Sequence, residues 1–249
     1  MDHEPLFFVF ASIAVVLAGI SKSGFGTGLG VFAVPLMAIV ISPAQAAAIM
    51  LPILCVIDLF NIWHYRRTWD RQNMGILVPA ALIGIALGAF TFRYLSDAHI
   101  RILIGVIAVI FVGNFFFGRN SKEKRNPDRV RGSFWGAIAG FVSFGVHAGG
   151  PPVSVYLLPQ RLEKTIFVGT NVVFFTIVNY VKLIPYYFLG QLNLGNLTTS
   201  LILSPLIPAG IWLGVKLHGR INQRVFYNLV YLFLLIAGAK LLYDGVVGL

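Results

Sequence analysis

The sequence predicts an all-α polytopic membrane protein made of two inverted repeats, each a broken or re-entrant helix hairpin followed by three transmembrane helices. Three observations lead to this fold class. The chain is apolar enough for a bilayer, its first half matches its second half, and its basic residues gather in alternate loops.

The composition is that of a membrane protein. Of the 249 residues, 57% are hydrophobic and 11% are charged, against about 25% charged residues in soluble domains. Apolar stretches of about 17 to 25 residues separate the charges, and this length crosses a bilayer core. The net charge of +10 comes from residues scattered through short loops, which favours the positive-inside rule over a nucleic-acid partner. The single cysteine, Cys55, excludes an internal disulfide and a CxxC redox pair.

An internal repeat organises the chain. With an offset of 121 residues, AGISKSGFGTGLG (18–30) aligns with AGFVSFGVHAGGP (139–151), so that three glycines coincide. Two GxxxG segments also match after a five-residue insertion, and we interpret them as helix-packing seams: Gly84/Gly88 and Gly210/Gly214. The offset of 121 superimposes two further polar pairs, Asp58 on Asn179 and Asn61 on Lys182. Internal repeats of this kind are typical of secondary transporters.

Each repeat reads as a hairpin with a glycine-rich break, followed by three longer helices. We predict a first repeat at 1–118, a basic linker at 119–131 and a second repeat at 132–249. The hairpins fall at 6–41 and 133–158, and the helices at 44–65, 74–92, 99–118, 165–189, 198–215 and 225–243. The arms Leu6–Ile20 and Val31–Ile41 would reach only ~22 Å and ~17 Å, so we expect half-helices that meet at the glycine loop.

The loop charges predict which helix ends share a face. If each hairpin returns to its starting side, fourteen basic residues lie on one face and only Arg93, Arg101 and Lys240 on the other. A hairpin that crossed as one broken span would spread the basic residues over both faces. The re-entrant arrangement places the linker in the cytoplasm, both termini outside and the repeats in opposite orientations, in a bacterial inner membrane.

Both glycine-rich loops interrupt the apolar pattern at membrane depth, where irregular backbone is tolerated only inside protein or beside a cavity. In GVHAGGPP two prolines follow two glycines, which suits the first turn of a helix. Free N–H groups and the helix dipole at such a half-helix N-terminus attract an anion. We therefore predict an anion site between two helix ends, with tight helix packing as the alternative reason for the glycines.

Two basic side chains stand in these loops. Lys22 would add a positive charge to the anion site, or its ammonium would snorkel to an interface. His147 would donate a hydrogen bond, carry a proton, or serve as a structural histidine. No second His, Cys or carboxylate lies at metal-ligand spacing from His147, so we expect no metal and no cofactor.

Polar residues also interrupt the longer helices. Asp58 is costly inside a membrane, and we expect it to pair with Lys182 across the repeats, although both lie in the outer thirds of their helices, where snorkelling is cheap. Asn61 and Asn179 complete the same spacing in the two repeats. Asn171 lies deeper in its helix, and we expect it to contact substrate ahead of Lys182.

Together these segments resemble the TauE/SafE family, also called the sulfite exporter or 4-toluene sulfonate uptake permease family. The resemblance covers nearly the whole chain and rests on the order and spacing of GFGTGLGVFAVPLM, AGGPPVSVYLLPQ, GTNVVFFTIVNYVKLIPYYFLGQLN and the GxxxG segments. It implies a membrane carrier for sulfur-containing anions. Residue by residue it points to Gly24, Gly26, Thr27, Gly28, Gly149, Gly150, Pro151, Gly169, Thr170 and Asn171. His147 and Ala148 stand where a glycine-richer loop is usual.

The sequence therefore predicts a secondary transporter that binds sulfite or an organosulfonate and works by alternating access. The substrate-binding residues would be Lys22, Ser23, Gly24, Gly26, Thr27, Gly28, His147, Gly149, Gly150, Pro151, Thr170 and Asn171. Coupling or an ion pair would involve Asp58, Asn61, Asn179 and Lys182.

The expected partners are the anion, the lipid bilayer and a coupling proton or sodium ion, with no nucleic acid, and a homo-oligomer is compatible with the sequence. The alternatives are a passive anion channel, an intramembrane enzyme and an assembly protein. The enzyme is the weaker alternative, because Ser21, Ser23 and His147 form no recognisable triad order.

Overall fold

The computed structural model describes residues 5–24, 33–117, 125–218 and 223–249, and this part of the chain consists of helices and turns. Its α-helices, numbered α1 to α11 in chain order, are Pro5–Gly24, Ala33–Met37, Pro43–Tyr65, Arg71–Phe92, Asp97–Phe117, Arg129–Val146, Gly150–Leu157, Lys164–Phe188, Leu194–Leu203, Leu206–His218 and Gln223–Val247. A short 3-10 turn, Leu158–Gln160, extends α7.

Side-chain caps fix where four of these helices begin. In each case an oxygen of the residue before the helix accepts a hydrogen bond from the backbone N–H three residues further on. The capping residues are Ser42 for α3, Asp70 for α4, Asp128 for α6 and Asn193 for α9. Such a cap satisfies one of the N–H groups that a helix start leaves without an intrahelical partner.

The first arm of each hairpin is longer than the sequence predicts. Helix α1 has 20 residues and α6 has 18, so at 1.5 Å per residue they extend about 30 Å and 27 Å. The expectation of a half-helix over Leu6–Ile20 was wrong, because Ser21, Lys22 and Ser23 continue the helix instead of ending it. The second arms are short, with five residues in α2 and eight in α7.

The second hairpin starts and ends at the same side of the protein. The backbone N–H of Arg125, just before α6, donates to the carbonyl of Pro159, just after α7, at 2.9 Å. The Tyr156 hydroxyl of α7 donates to the carbonyl of Asp128 at 3.3 Å. Helix α6 therefore enters the helical bundle and α7 returns towards the place where α6 began.

One helix that the sequence predicts as continuous, 198–215, is broken. Helices α9 and α10 meet at an angle of 47° around Ser204 and Pro205. Proline has no N–H for the helical ladder, and its ring crowds the preceding turn, which accounts for the break. By length and composition, four helices in the described part of the chain are able to cross a membrane, or five if this bent pair is one span.

The other long helices, α3, α4, α5, α8 and α11, occupy the segments predicted for them, with ends that differ by at most four residues. Residues 118–124, which make up most of the predicted linker, lie outside the described residues. The division of the chain into two repeats and a linker stays a prediction.

The long helices pack in pairs. Exchanging each helix for its counterpart in the other predicted repeat gives the same set of pairs. Helix α1 packs against α10, and its repeat counterpart α6 packs against α4, the counterpart of α10. Helix α3 packs against its own counterpart α8, and α5 against α11. The first arm of each predicted repeat thus packs against a helix of the other predicted repeat. The inverted orientation of the repeats stays a prediction.

Glycines form the seams between the interlocked helices. A Cβ atom added at Gly84 would lie 2.0 Å from the carbonyl oxygen of Ala137, and one at Gly140 would lie 2.1 Å from that of Ala81. On the other side of the bundle, Gly19 of α1 and Gly210 of α10 approach backbone to backbone in the same way. The backbones lie too close for any side chain, as in other membrane helix pairs that use small residues.

Polar contacts gather several basic loops at one end of the bundle. The Thr170 hydroxyl at the start of α8 accepts from the Asp70 N–H before α4, at 2.9 Å. The amides of Asn73 and Gln160 exchange two hydrogen bonds, at 2.8 and 3.1 Å. The loops that carry Arg66, Arg67, Arg71, Arg125 and Arg161 therefore meet at this end, which we call the basic end.

We expect Gly84→Ala to lower the melting temperature of the detergent-purified protein strongly, because the new methyl overlaps a backbone carbonyl that cannot move independently. Gly75, on the same helix, has nothing within 4 Å of its added Cβ and serves as the matched control. Gly75→Ala should be neutral or gain up to about 1 kcal/mol from helix propensity. Equal melting temperatures for the two variants would contradict the close α4–α6 seam.

Candidate functional site

A buried ion pair joins the first hairpin to the third helix of the same repeat. Lys22 Nζ of α1 lies 2.5 Å from Asp58 Oδ1 of α3. Asp58 is 1% exposed, and the Lys22 side chain is 10% exposed. Lys22 therefore does not snorkel to an interface, and its partner carboxylate explains how α1 carries a cation within the bundle.

The second oxygen of the same carboxylate bridges the two repeats. Asp58 Oδ2 accepts a hydrogen bond from Asn179 Nδ2 of α8 at 2.6 Å. These two residues are separated by the repeat offset of 121, so equivalent positions of the two repeats touch each other here. The expected direct pair between Asp58 and Lys182 was wrong, because Lys22 and Asn179 occupy both oxygens of the carboxylate.

Lys182 has a separate environment and is fully buried, at 0% exposed. Its ammonium donates to the backbone oxygen and the hydroxyl of Ser143, at 2.9 and 3.0 Å, and to His147 Nδ1 at 2.7 Å. A lysine ammonium has three donors, so these contacts satisfy all of them. The sequence-based expectation that Asp58 and Lys182 lie where snorkelling is cheap does not hold for either residue.

His147 closes this second cluster in a strained backbone conformation. Its φ of 53° lies in the left-handed region, which residues other than glycine adopt rarely and at a cost. The ring nitrogen Nε2 lies 2.9 Å from the carbonyl oxygen of Ala47. Because a carbonyl only accepts, Nε2 carries a hydrogen, which leaves Nδ1 to accept from Lys182. A glycine would suit the backbone here but would remove the contacts to both partners.

When the Lys182–His147 pair holds one proton beyond its neutral form, it carries one positive charge wherever in the pair that proton lies. If the proton stays on Lys182, the ammonium donates to Nδ1 of a neutral His147. If it moves to Nδ1, the imidazolium donates to a neutral amine, whose remaining hydrogens still reach Ser143. Both arrangements satisfy every polar atom of the pair.

The two clusters occupy equivalent positions with different chemistry. Ser143 lies 121 residues after Lys22, so the hairpin supplies the cation in the first repeat and its acceptor in the second. The third helix does the reverse, since Lys182 is the counterpart of Asn61. Sequence reasoning missed Ser143, although the repeat alignment places it opposite Lys22 and was the signal that would have identified it.

Asn61 presents a donor with no partner in the interior. Its Oδ1 accepts from the Ser23 hydroxyl at 3.2 Å, while its buried Nδ2 has no hydrogen-bond partner. A buried amide N–H without a protein partner among the described residues costs free energy unless another group accepts from it, so this donor is available to a ligand. An N–H group suits an anion, and it stands beside the Lys22–Asp58 pair.

In Asn171 the atom without a hydrogen-bond partner among the described residues is an acceptor, not a donor. Its Nδ2 donates to the Phe167 carbonyl at 2.9 Å within α8, and its buried Oδ1 is the atom without a partner. It lies 11 residues before Lys182 on the helix, a separation of about 16 Å. An acceptor oxygen does not suit an oxyanion, so the polarity and distance do not favour Asn171 as part of the same anion site.

The remaining predicted residues fall into three groups. Gly24 is the last residue of α1, and Gly26, Thr27 and Gly28 lie outside the described residues. Gly149, Gly150 and Pro151 form the start of α7, where an added Cβ at Gly149 would press on Ser143 and Phe175. The Thr170 hydroxyl is committed to Asp70 and Ile166, and Gly169 allows close approach to Thr68.

The fold and this site define a multi-pass integral membrane protein with charged side chains held in its interior. The chain belongs to the sulfite exporter TauE/SafE family, since the model of that family matches residues 11–241. This confirms the resemblance seen in the sequence and identifies the class as membrane transporters. No curated protein and no solved structure matches the chain.

Removing one partner of the buried ion pair should be far worse than removing both charges. We expect Lys22→Gln to destabilise the protein by about 3–5 kcal/mol, because it leaves the Asp58 carboxylate buried without its cation. Lys22→Gln combined with Asp58→Asn should recover much of this loss. Thermal unfolding of the single and double variants gives the coupling energy, and strictly additive effects would show that the pair is not coupled.

Proposed function

We propose that this chain is a secondary transporter that carries a small sulfur-containing oxyanion, sulfite or an organosulfonate, across the bacterial cytoplasmic membrane by alternating access. Family membership supports transport of such an anion. The chain would act by binding and releasing the anion unchanged, with both termini on the external side.

The observation that carries the proposal is the imbalance of buried charge. Lys22 and the Lys182–His147 pair are able to hold two positive charges, whereas Asp58 is the only buried carboxylate among the described residues. A net positive charge in the interior of a membrane protein is costly unless another group neutralises it. A bound monoanion would restore neutrality and so stabilise the loaded protein.

The donors needed to hold such an anion surround these charges. Asn61 Nδ2 has no hydrogen-bond partner among the described residues, and the Ser23 hydroxyl is beside it. In the second repeat, α7 begins at Gly150, close to Ser143, and its first N–H groups add positive potential. We therefore assign anion contact to Lys22, Ser23 and Asn61, and we assign Lys182 a role through its positive potential, because its three donors already have partners.

Alternating access would use the contact between the repeats. The Asp58–Asn179 hydrogen bond joins equivalent residues, and the interlocked first arms would rock or slide around it. The Lys182–His147 pair is suited to hold one coupling proton, since that proton is hydrogen-bonded whether it lies on Lys182 or on His147 Nδ1. Sodium coupling and exchange driven by the substrate gradient are the other forms of the same mechanism.

Counterflow in vesicles that contain the purified protein tests the transport mechanism. We expect vesicles preloaded with unlabelled sulfite to take up labelled sulfite faster than empty vesicles. In a carrier, unlabelled sulfite that leaves the vesicle returns the binding site to the outside, where labelled sulfite binds. Uptake that is unaffected by preloading would favour the passive anion channel. Chemical conversion of sulfite by detergent-solubilised protein would favour an enzyme and overturn the proposal.

Asn61→Leu separates a binding role from a structural one. Because Asn61 Nδ2 has no partner, its loss should leave the melting temperature unchanged or raised, while sulfite binds about tenfold more weakly. Lys182→Met should also weaken binding, by about tenfold, because it removes a positive charge from the surroundings of the anion. Lys240→Gln, at an exposed lysine paired with Asp244, is the control and should bind sulfite normally. Normal affinity in the Asn61 and Lys182 variants would contradict the assigned site.

A further inference from the structure

A large cavity opens at the end of the bundle opposite the basic end, beside Arg93. Its volume is about 540 Å³, and it lies between the end of α4, the end of α8 and the first turns of α3 and α5. Pockets for small organic ligands occupy roughly 300–1,000 Å³. A water molecule accounts for only about 30 Å³, so a four-atom inorganic oxyanion would leave most of this cavity unfilled.

Aromatic rings make up much of the cavity wall. The ring of Phe144 lies 5.8 Å from that of Phe92 and 5.1 Å from that of Tyr186, both in edge-to-face geometry. Ile100 adds a buried aliphatic surface, and Arg93 is the charged residue of the lining. An apolar wall with a single cation at its mouth fits an organic anion better than a small, strongly hydrated one.

The inner end of the cavity lies next to the Lys182–His147 cluster. Ala47, whose carbonyl receives the His147 hydrogen bond, lines the cavity. Tyr186 stands one helical turn after Lys182, its ring lies 6.3 Å from that of His147, and its hydroxyl donates to the Phe144 carbonyl at 2.5 Å. The cavity therefore ends at Tyr186, with the buried cation directly behind it.

We infer that this cavity is an outer binding site for an organic sulfonate, with its apolar body against Phe92, Phe144 and Tyr186 and its acid group at Arg93. The choice of a sulfonate rests on the proposed function, whereas the preference for an apolar body rests on the cavity itself. Passage of the anion from this outer site to Lys182 requires Tyr186 to release the Phe144 carbonyl. The cavity thus selects organosulfonates over sulfite before the anion reaches the buried charges.

A homologous series of competitors measures the predicted apolar contact. Methanesulfonate, ethanesulfonate, propanesulfonate and benzenesulfonate should each inhibit uptake of labelled sulfite by vesicles that contain the full-length protein. We expect the half-inhibitory concentration to fall by about fourfold for each methylene that becomes buried, with benzenesulfonate the strongest inhibitor.

Two variants locate the contacts. Ala44 lines both this cavity and the adjoining one, so Ala44→Phe narrows the cavity at that wall, and the half-inhibitory concentration should depend less on the length of the apolar body. Arg93→Gln should weaken every sulfonate by about two- to fivefold, a small factor because Arg93 is exposed and screened. Lys240→Gln, away from the cavity lining, is the matched charge control and should change nothing.

The outcomes separate this inference from the proposed function. If sulfite is transported but inhibition does not strengthen with the apolar body, the outer site is wrong and the transporter stands. If inhibition strengthens equally in Ala44→Phe, the apolar contact lies elsewhere and the inference is overturned. If neither sulfite nor any sulfonate is transported or competes, the proposed function fails, and the outer sulfonate site fails with it.

Discussion

The structure depends on the neutralisation of charge in an apolar interior. A single ion moved from water into low dielectric costs several kcal/mol even after relaxation, so a buried carboxylate persists only with excellent partners. Asp58 has two, the Lys22 ammonium on one oxygen and the Asn179 amide on the other. Because these partners come from α1 and α8, one carboxylate holds together the first hairpin, the third helix and the second repeat.

The second cluster has hydrogen-bond partners for its lysine but no carboxylate. Lys182 relies on a backbone carbonyl, a hydroxyl and a neutral imidazole, which satisfy its hydrogen bonds but not its charge. His147, which provides one of those contacts, has a left-handed backbone conformation. Strain and uncompensated charge are both costly, and their presence at the break between α6 and α7 is typical of a functional site.

Close glycine contacts give this arrangement a rigid frame. The first arm of each repeat packs on the other repeat along seams where backbones nearly touch, so each repeat is completed by its partner. The Asp58–Asn179 contact lies where the repeats meet, and it joins positions that the repeat makes equivalent.

Composition, repeat offset and loop charge were sufficient to predict a polytopic helical membrane protein, because hydropathy and helix length are local properties of the chain. The same reasoning identified Lys22, Asp58, His147 and Lys182 as unusual, since charge in an apolar segment is visible without a structure. It placed the ends of α1 wrongly, because a lysine ends an apolar run on paper but continues a helix when a distant carboxylate neutralises it.

Partner choice was decided only by the tertiary structure. Lys22 and Lys182 were both available to Asp58, and the packing of α1 against α3 selected Lys22. The unpartnered atoms of Asn61 and Asn171, and the aromatic cavity that ends at Tyr186, likewise arise from residues far apart in the chain. The sequence by itself determined that charges would be buried in a membrane protein. The choice of Lys22 as the partner of Asp58 depends on distances of a few ångströms between side chains, and only the folded chain sets those distances.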